Sequence, residues 1–115
     1  MNGPDIASNL ISGYIDAVLL KLISVGDCYG YSISKTLADI TGGDCKIKEA
    51  TLYSGLRRLE AEELISSYWG DESQGGRRKY YSLTQKGGES LDMNIKKWNM
   101  TKKLMDNILG WRGAV

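Results

Sequence analysis

The sequence of 115 residues contains no histidine, one proline and two cysteines. Without histidine it lacks the commonest general base, the usual partner of a nucleophilic serine and the commonest zinc ligand. Cys28 and Cys45 stand far apart with no second cysteine pair, so neither a zinc ribbon nor a C-x-x-C redox motif can be built from them. Both are expected to be reduced thiols of a cytoplasmic protein. A phosphate-binding glycine motif and an acidic pair with catalytic spacing are also missing, so neither an enzyme nor a cofactor is expected. The apolar stretch from Ile15 to Val25 is interrupted by Asp16, Lys21 and Ser24, and Met1 to Asn9 has no basic lead-in. These features predict neither a membrane span nor secretion.

A charge excess is lacking as well, since 15 basic residues face 14 acidic ones for a net +1. Any argument for a nucleic-acid partner must therefore rest on where the cations sit. What the chain does have is 42% hydrophobic residues, enough for one packed domain.

Between Ile6 and Val25, apolar residues at Leu10, Ile11, Tyr14, Ile15, Val18, Leu19, Leu22 and Ile23 follow helical spacing, and Gly26-Asp27 ends the run. Tyr31, Ile33, Leu37 and Ile40 suggest a second, short helix closed by Gly42-Gly43. A third, from about Lys48 to Glu63, has Leu52, Leu56 and Leu59 as its inner stripe and Thr51, Ser54, Arg57, Arg58 and Glu62 outside. The period then shortens. Residues 64–69 and 78–83 are rich in strand formers and flank the polar, glycine-bearing stretch 70–76, which predicts a β-hairpin.

Helix, turn, polar-faced helix and a glycine-tipped hairpin ending in Arg77-Arg78-Lys79 is the order of a winged helix-turn-helix, a mainly α (α+β) fold. In that arrangement one helix enters the major groove of duplex DNA and a basic hairpin meets the neighbouring phosphates. Lys48, Thr51, Tyr53 and Ser54 occupy the helix turns that would enter the groove, although Tyr53 suits the core equally well. Gly75-Gly76 lets the backbone approach closely, and Arg77, Arg78 and Lys79 neutralise phosphates. The bland alternative is a solvated charge run beside a turn. Tyr68, Trp69, Tyr80 and Tyr81 could form a platform for single-stranded bases, but strand alternation turns half of them inward and favours packing.

Thr84 is placed to cap a last helix, in which Leu91, Ile95, Trp98, Lys102, Met105 and Leu109 form a heptad-like seam from Glu89 to Leu109. The seam lies beyond a core already complete, so a second copy of the chain is its expected partner. Residues 1–84 are read as the winged helix-turn-helix and residues 85–115 as a C-terminal dimerisation helix. At a two-fold interface Trp98 would either anchor the dimer core or wall a flat slot for a planar aromatic small molecule.

Gly30-Tyr31, Thr51-Leu52-Tyr53, Arg58-Leu59-Glu60, Leu64-Ile65 and Gly76-Arg77-Arg78-Lys79-Tyr80-Tyr81, followed by Leu83-Thr84 and Gly87, resemble the PadR family of repressors. The run from Ile65 to Tyr81 is similar to the family's multidrug-responsive branch. The resemblance implies a homodimer that represses nearby genes until a ligand or stress signal weakens its hold on an operator. It also implies a dimer-centre pore in which Trp98 sandwiches planar drugs, lined by Leu10, Gly13, Asp16, Ala17 and Lys21 with Lys102. The chain departs from the branch at Lys102, where an acidic residue would favour cationic drugs. Lysine there admits neutral or anionic aromatics, unless Asp16 compensates. It departs from the family at Glu63, where a glycine usually precedes the hydrophobic pair that begins the wing.

Three rivals remain at this stage. A winged helix can serve as a protein-interaction module without DNA, an enzyme lacks residues to work with, and a metal sensor has only two cysteines as soft ligands.

Overall fold

The computed structural model describes residues 10–70 and 77–114. The first helical run of the sequence divides: a 3-10 turn at Ser12–Tyr14 leads into α1 (Ile15–Val25). Gly13 and Ser12 are poor helix formers, which accounts for the break; the expected start near Ile6 lies outside the described residues. A two-residue strand, β1 (Cys28–Tyr29), precedes α2 (Gly30–Ile40), and α3 (Glu49–Ala61), β2 (Ile65–Gly70), β3 (Arg78–Leu83) and α4 (Gln85–Leu109) follow.

The strands form one antiparallel sheet in the order β1-β3-β2. Ile65 pairs with Leu83 and Gly70 with Arg78, as expected of the hairpin, while Cys28 pairs with Tyr81. β1 was not foreseen, because two residues carry no periodic signal.

The core is a single apolar cluster. Leu19, Leu20 and Ile23 of α1 meet Ile33, Leu52, Leu56, Leu59, Leu64, Ile65, Tyr81 and Leu91, and no polar or charged residue is buried among the described residues. Each fully buried leucine contributes about 1.5–3 kcal/mol of apolar transfer. Gly55 lets α1 and α3 close on each other, since a Cβ there would lie 2.8 Å from Leu19 Cδ1.

The α2–α3 turn is built as its glycines suggest. Gly42 and Gly43 take φ of +62° and +88°, and Gly43 N–H donates to the Ala38 carbonyl at 2.7 Å. Cys45, 1% exposed, plugs the turn while its N–H donates to Thr41 Oγ1 at 3.0 Å.

Helix α3 ends in a Schellman motif. Leu64 N–H donates to the Leu59 carbonyl and Glu63 N–H to that of Glu60, both at 3.0 Å, with Glu63 at φ +63°. This is the position where the family resemblance calls for glycine, and the chain holds the left-handed turn without it. α4 begins earlier than its seam suggested, at Gln85, with Thr84 Oγ1 accepting from Gly87 N–H at 2.9 Å. Gly87 serves close approach, since a Cβ there would lie 1.9 Å from the Leu64 carbonyl oxygen.

Both cysteines are free thiols, Cys45 buried and Cys28 half-buried. Burial, with the Asp27 carboxylate adding, pushes the Cys28 thiol up to about 11.

Two outcomes follow from this architecture. Glu63→Gly relieves a left-handed side chain and should stabilise the fold by about 0.5–1 kcal/mol, whereas Gly87→Ala should destabilise it by about 2–3 kcal/mol, both read from thermal or urea unfolding. Because only the thiolate alkylates, Cys28 in the folded protein at pH 8 should react about a hundredfold more slowly than the same thiol in the unfolded chain, and should speed up as pH rises toward 11. Mass-resolved alkylation against pH checks this, and an equal rate in both states would contradict it.

Candidate nucleic-acid interface

Helix α3 buries Leu52, Leu56 and Leu59 and turns Lys48, Thr51, Tyr53, Ser54 and Arg57 to solvent. Lys48 is its N-cap, in extended backbone. The four sequence-predicted residues Lys48, Thr51, Tyr53 and Ser54 therefore share the first two turns of one helix. Tyr53 is 36% exposed, and its ring end covers Gly30, where a Cβ would meet the phenol oxygen at 2.3 Å. It is thus neither a core residue nor a freely projecting one; it lies over the start of α2.

The wing cations are held by aromatic rings. The Arg77 guanidinium sits 5.4 Å from the Trp69 ring centre, Arg78 4.5 Å from Tyr29 and Lys79 Nζ 5.7 Å from Tyr81. An aromatic face orients a cation while leaving its charge and donors for a further partner. Lys79 also pairs with Glu60 Oε1 at 3.6 Å, and Ser67 Oγ donates to the other oxygen of that carboxylate. The wing tip with Gly75 and Gly76 lies outside the described residues.

The strand aromatics divide as alternation requires. Tyr81 faces the core at 5% exposure, and Trp69 shares its face but runs past the core and is 57% exposed. On the other face Tyr68 stacks on Tyr80 at 5.6 Å, and Tyr80 meets Tyr29 edge-on at 5.4 Å. These rings are spent on one another, which removes the single-strand platform. Tyr68 is further tied by its hydroxyl, which donates to Asp27 Oδ2 at 2.6 Å; that bond is the chief reason its pKa is raised.

Between α3 and the wing lies an open cleft of about 570 Å³. Arg57, Arg78 and Lys79 supply cations, Trp69, Tyr31 and Tyr53 supply rings, and among the described residues no carboxylate lines it. Arg57 and Tyr31 were missed as site residues, because an outward arginine on a helix and an aromatic after a glycine carry no signal until the hairpin folds over them.

The residues expected to line a ligand pore fall into two adjoining hollows on the opposite side of α1. Trp98, Ala17 and Lys21 join Ile11, Tyr14, Leu91, Asn94 and Ile95 around an apolar hollow of about 380 Å³. Tyr14 meets Trp98 edge-on at 5.1 Å, and Lys102 Nζ stands 5.9 Å from the Trp98 ring centre. Asp16, Gly13 and Ala17 line a smaller, polar hollow with Arg58 and Asn94, where Asp16 is ion-paired to Arg58. Leu10 is 68% exposed and lines neither hollow.

The heptad seam likewise splits. Leu91 is in the core and Ile95 and Trp98 line the apolar hollow, while Met105 and Leu109 are exposed. The sequence pattern also hid a second stripe, Met93, Met100, Leu104, Ile108 and Trp111, each more than half exposed. Helical rotation puts it on the opposite side of α4. Among the described residues, no helix is long and apolar enough to cross a membrane, and no three metal-ligating side chains cluster.

Known proteins share this arrangement. Residues 19–93 match the model of the transcriptional regulator PadR-like family. An uncharacterized protein of Lysinibacillus sphaericus is 43% identical over 101 residues, 88% of this chain and 93% of its own length. A transcriptional regulator from Clostridium thermocellum superposes with a TM-score of 0.80 at 41% identity, over 87% of this chain and 97% of its own. A PadR family transcription regulator from a hypervirulent Clostridium difficile strain gives 0.73 at 39% identity, over 84% and 98%. With the winged helix, the family match over most of the folded head and relatives of this identity in agreement, the chain belongs to the PadR-like family of transcriptional regulators and is not an enzyme.

Proposed function

We propose that the chain acts in the cytoplasm as a homodimeric repressor that grips a pseudo-palindromic operator in duplex DNA. The observation that carries this reading is that the exposed N-terminal turns of α3 and the ring-seated cations Arg77, Arg78 and Lys79 flank one cleft that no carboxylate lines among the described residues. Residues 1–84 serve as the reading head and 85–115 as the dimerisation arm. Lys48, Thr51, Tyr53 and Ser54 address the major groove, and the three wing cations hold flanking phosphates. Dimerisation is supported by the outer half of α4, where Met100, Leu104, Met105, Ile108 and Leu109 are 45–76% exposed. Two-fold symmetry then sets half-sites roughly 34 Å apart.

The apolar hollow is the seat for an inducer, a planar aromatic that stacks on Trp98. Lys21 and Lys102 border it, and Asp16 is already neutralised by Arg58, so it does not offset those lysines. The expected ligand is neutral or anionic rather than cationic, which sets the chain apart from a multidrug-responsive relative selecting cations.

Selection of bound duplexes from a random pool should recover a two-fold-symmetric site. The double variant Arg77→Ala/Arg78→Ala should weaken binding and flatten the dependence of log K on log salt by about 2, one per lost phosphate contact. Recovery of no enriched site, or of one indifferent to the wing, would favour a protein-interaction module. For the hollow, a planar aromatic carboxylate such as 2-naphthoate should bind at least about tenfold tighter than a planar cationic dye, a difference of about 1.4 kcal/mol. Lys102→Glu should reverse that order and Trp98→Ala should abolish both, as measured by calorimetry.

A further inference from the structure

Trp69 is an expensive residue to leave where it stands. It belongs to the inward face of the hairpin, beside Tyr81 and Lys79, yet the core ends before reaching it and 57% of its surface remains open. One side of the ring carries the Arg77 guanidinium. The rest looks into the cleft whose far wall is Tyr53 and Arg57 of α3 and whose end is Tyr31 of α2.

Arg57 sits on the same exposed flank of α3 as Tyr53, one turn further from the N-terminus. Only the first turns of a recognition helix reach base edges, so a cation at this depth meets the strand that borders the groove. A cleft with three cations, an exposed apolar ring and, among the described residues, no acid matches the chemistry of a sugar-phosphate unit, whose phosphate is anionic and whose deoxyribose is largely apolar. Glu60 is paired with Lys79, accepts from Ser67 Oγ and does not line the cleft.

We propose that the cleft between α3 and the wing seats one sugar-phosphate unit of the DNA strand, with Arg57 on the phosphate and Trp69 against the deoxyribose. This rests on the operator-binding reading and adds two residues to it, both serving affinity and register rather than sequence choice. Arg57 and the wing arginines then clamp one strand from two sides, the first from the helix and the others from the hairpin.

The test uses the full chain and two independent readouts. Arg57→Ala, a change at an exposed position, should weaken binding to the selected duplex and to a scrambled duplex by the same factor, roughly tenfold, and lower the salt slope by about 1. In the variant Trp98→Phe/Trp111→Phe, Trp69 is the only tryptophan, and saturating duplex should cut its quenching by acrylamide at least twofold. Unchanged affinity and salt slope in Arg57→Ala would overturn the phosphate contact, and a loss confined to the selected duplex would make Arg57 a base reader instead. Trp69 remaining equally quenchable in a duplex-bound protein would overturn the sugar contact. Absence of binding to any duplex by the unaltered chain would instead remove the operator reading itself, and the seat with it.

Discussion

Much of this molecule hangs on the backbone carbonyl of Leu64. It accepts from Thr84 N–H at 3.1 Å and from Thr84 Oγ1 at 2.9 Å, and the same hydroxyl reaches the Glu63 carbonyl at 2.8 Å. Lys86 Nζ donates to the Glu62 carbonyl at 3.0 Å, and Gly87 brings its backbone against the joint where a side chain has no room. At the end of α3 the carbonyls of Arg58, Leu59 and Glu60 accept from the N–H groups of Glu62, Leu64 and Glu63, and the start of α4 satisfies the next carbonyls along the chain, those of Glu62, Glu63 and Leu64. A helix C-terminus and a helix N-terminus thus become one rigid corner, with the hairpin springing from it. The left-handed Glu63 is the conformational cost of that corner.

The near-neutral charge of the chain conceals a sorted one. Cations gather on Arg57, Arg78 and Lys79 around the cleft; of the described carboxylates close by, Glu60 pairs with Lys79 and Ser67, and Asp27 with Tyr68. Aromatic rings do what carboxylates do in most proteins, which is to hold a long cationic side chain in place. Trp69 lies beside Arg77 and Tyr29 beside Arg78, and a ring orients a cation without itself adding a negative charge. Net charge is therefore a poor guide to a DNA-facing surface of this design.

The same distinction explains what the sequence disclosed. Helices α2 and α3, their glycine-closed turn and the hairpin were legible, because each obeys a local period or turn rule. Thr84 as a cap was legible for the same reason. The strand β1, the two-sided apolar character of α4, and the division of its seam between core, hollow and solvent were not, because each depends on which long-range surfaces meet. Arg57, Arg58 and Asp16 show the limit clearly. The two arginines read as ordinary exposed charges and Asp16 as a pore residue, yet the fold pairs Arg58 with Asp16 across 42 positions and sets Arg57 in the cleft. Leu10 shows the reverse, since helical spacing and family resemblance put it in the pore while it lines neither hollow.

The two hollows and the cleft lie on either side of the same two helices, and this bears on how a ligand could matter. α1 carries Tyr14, Ala17 and Lys21 into the apolar hollow and Asp16 to Arg58 of α3, and its Leu19 rests on Gly55 of α3 without a side chain between. Arg58 is the immediate neighbour of Arg57. The head is therefore too tightly packed for α3 to shift within it, because close-packed cores have discrete arrangements rather than soft ones. The arm is the exposed part: among the described residues of α4 beyond Trp98, none is buried. A molecule bound between Tyr14 and Trp98 would act on the angle between head and arm, and through the arm on the spacing of two heads. It could loosen DNA only by binding more tightly to the dimer shape whose heads do not match successive grooves.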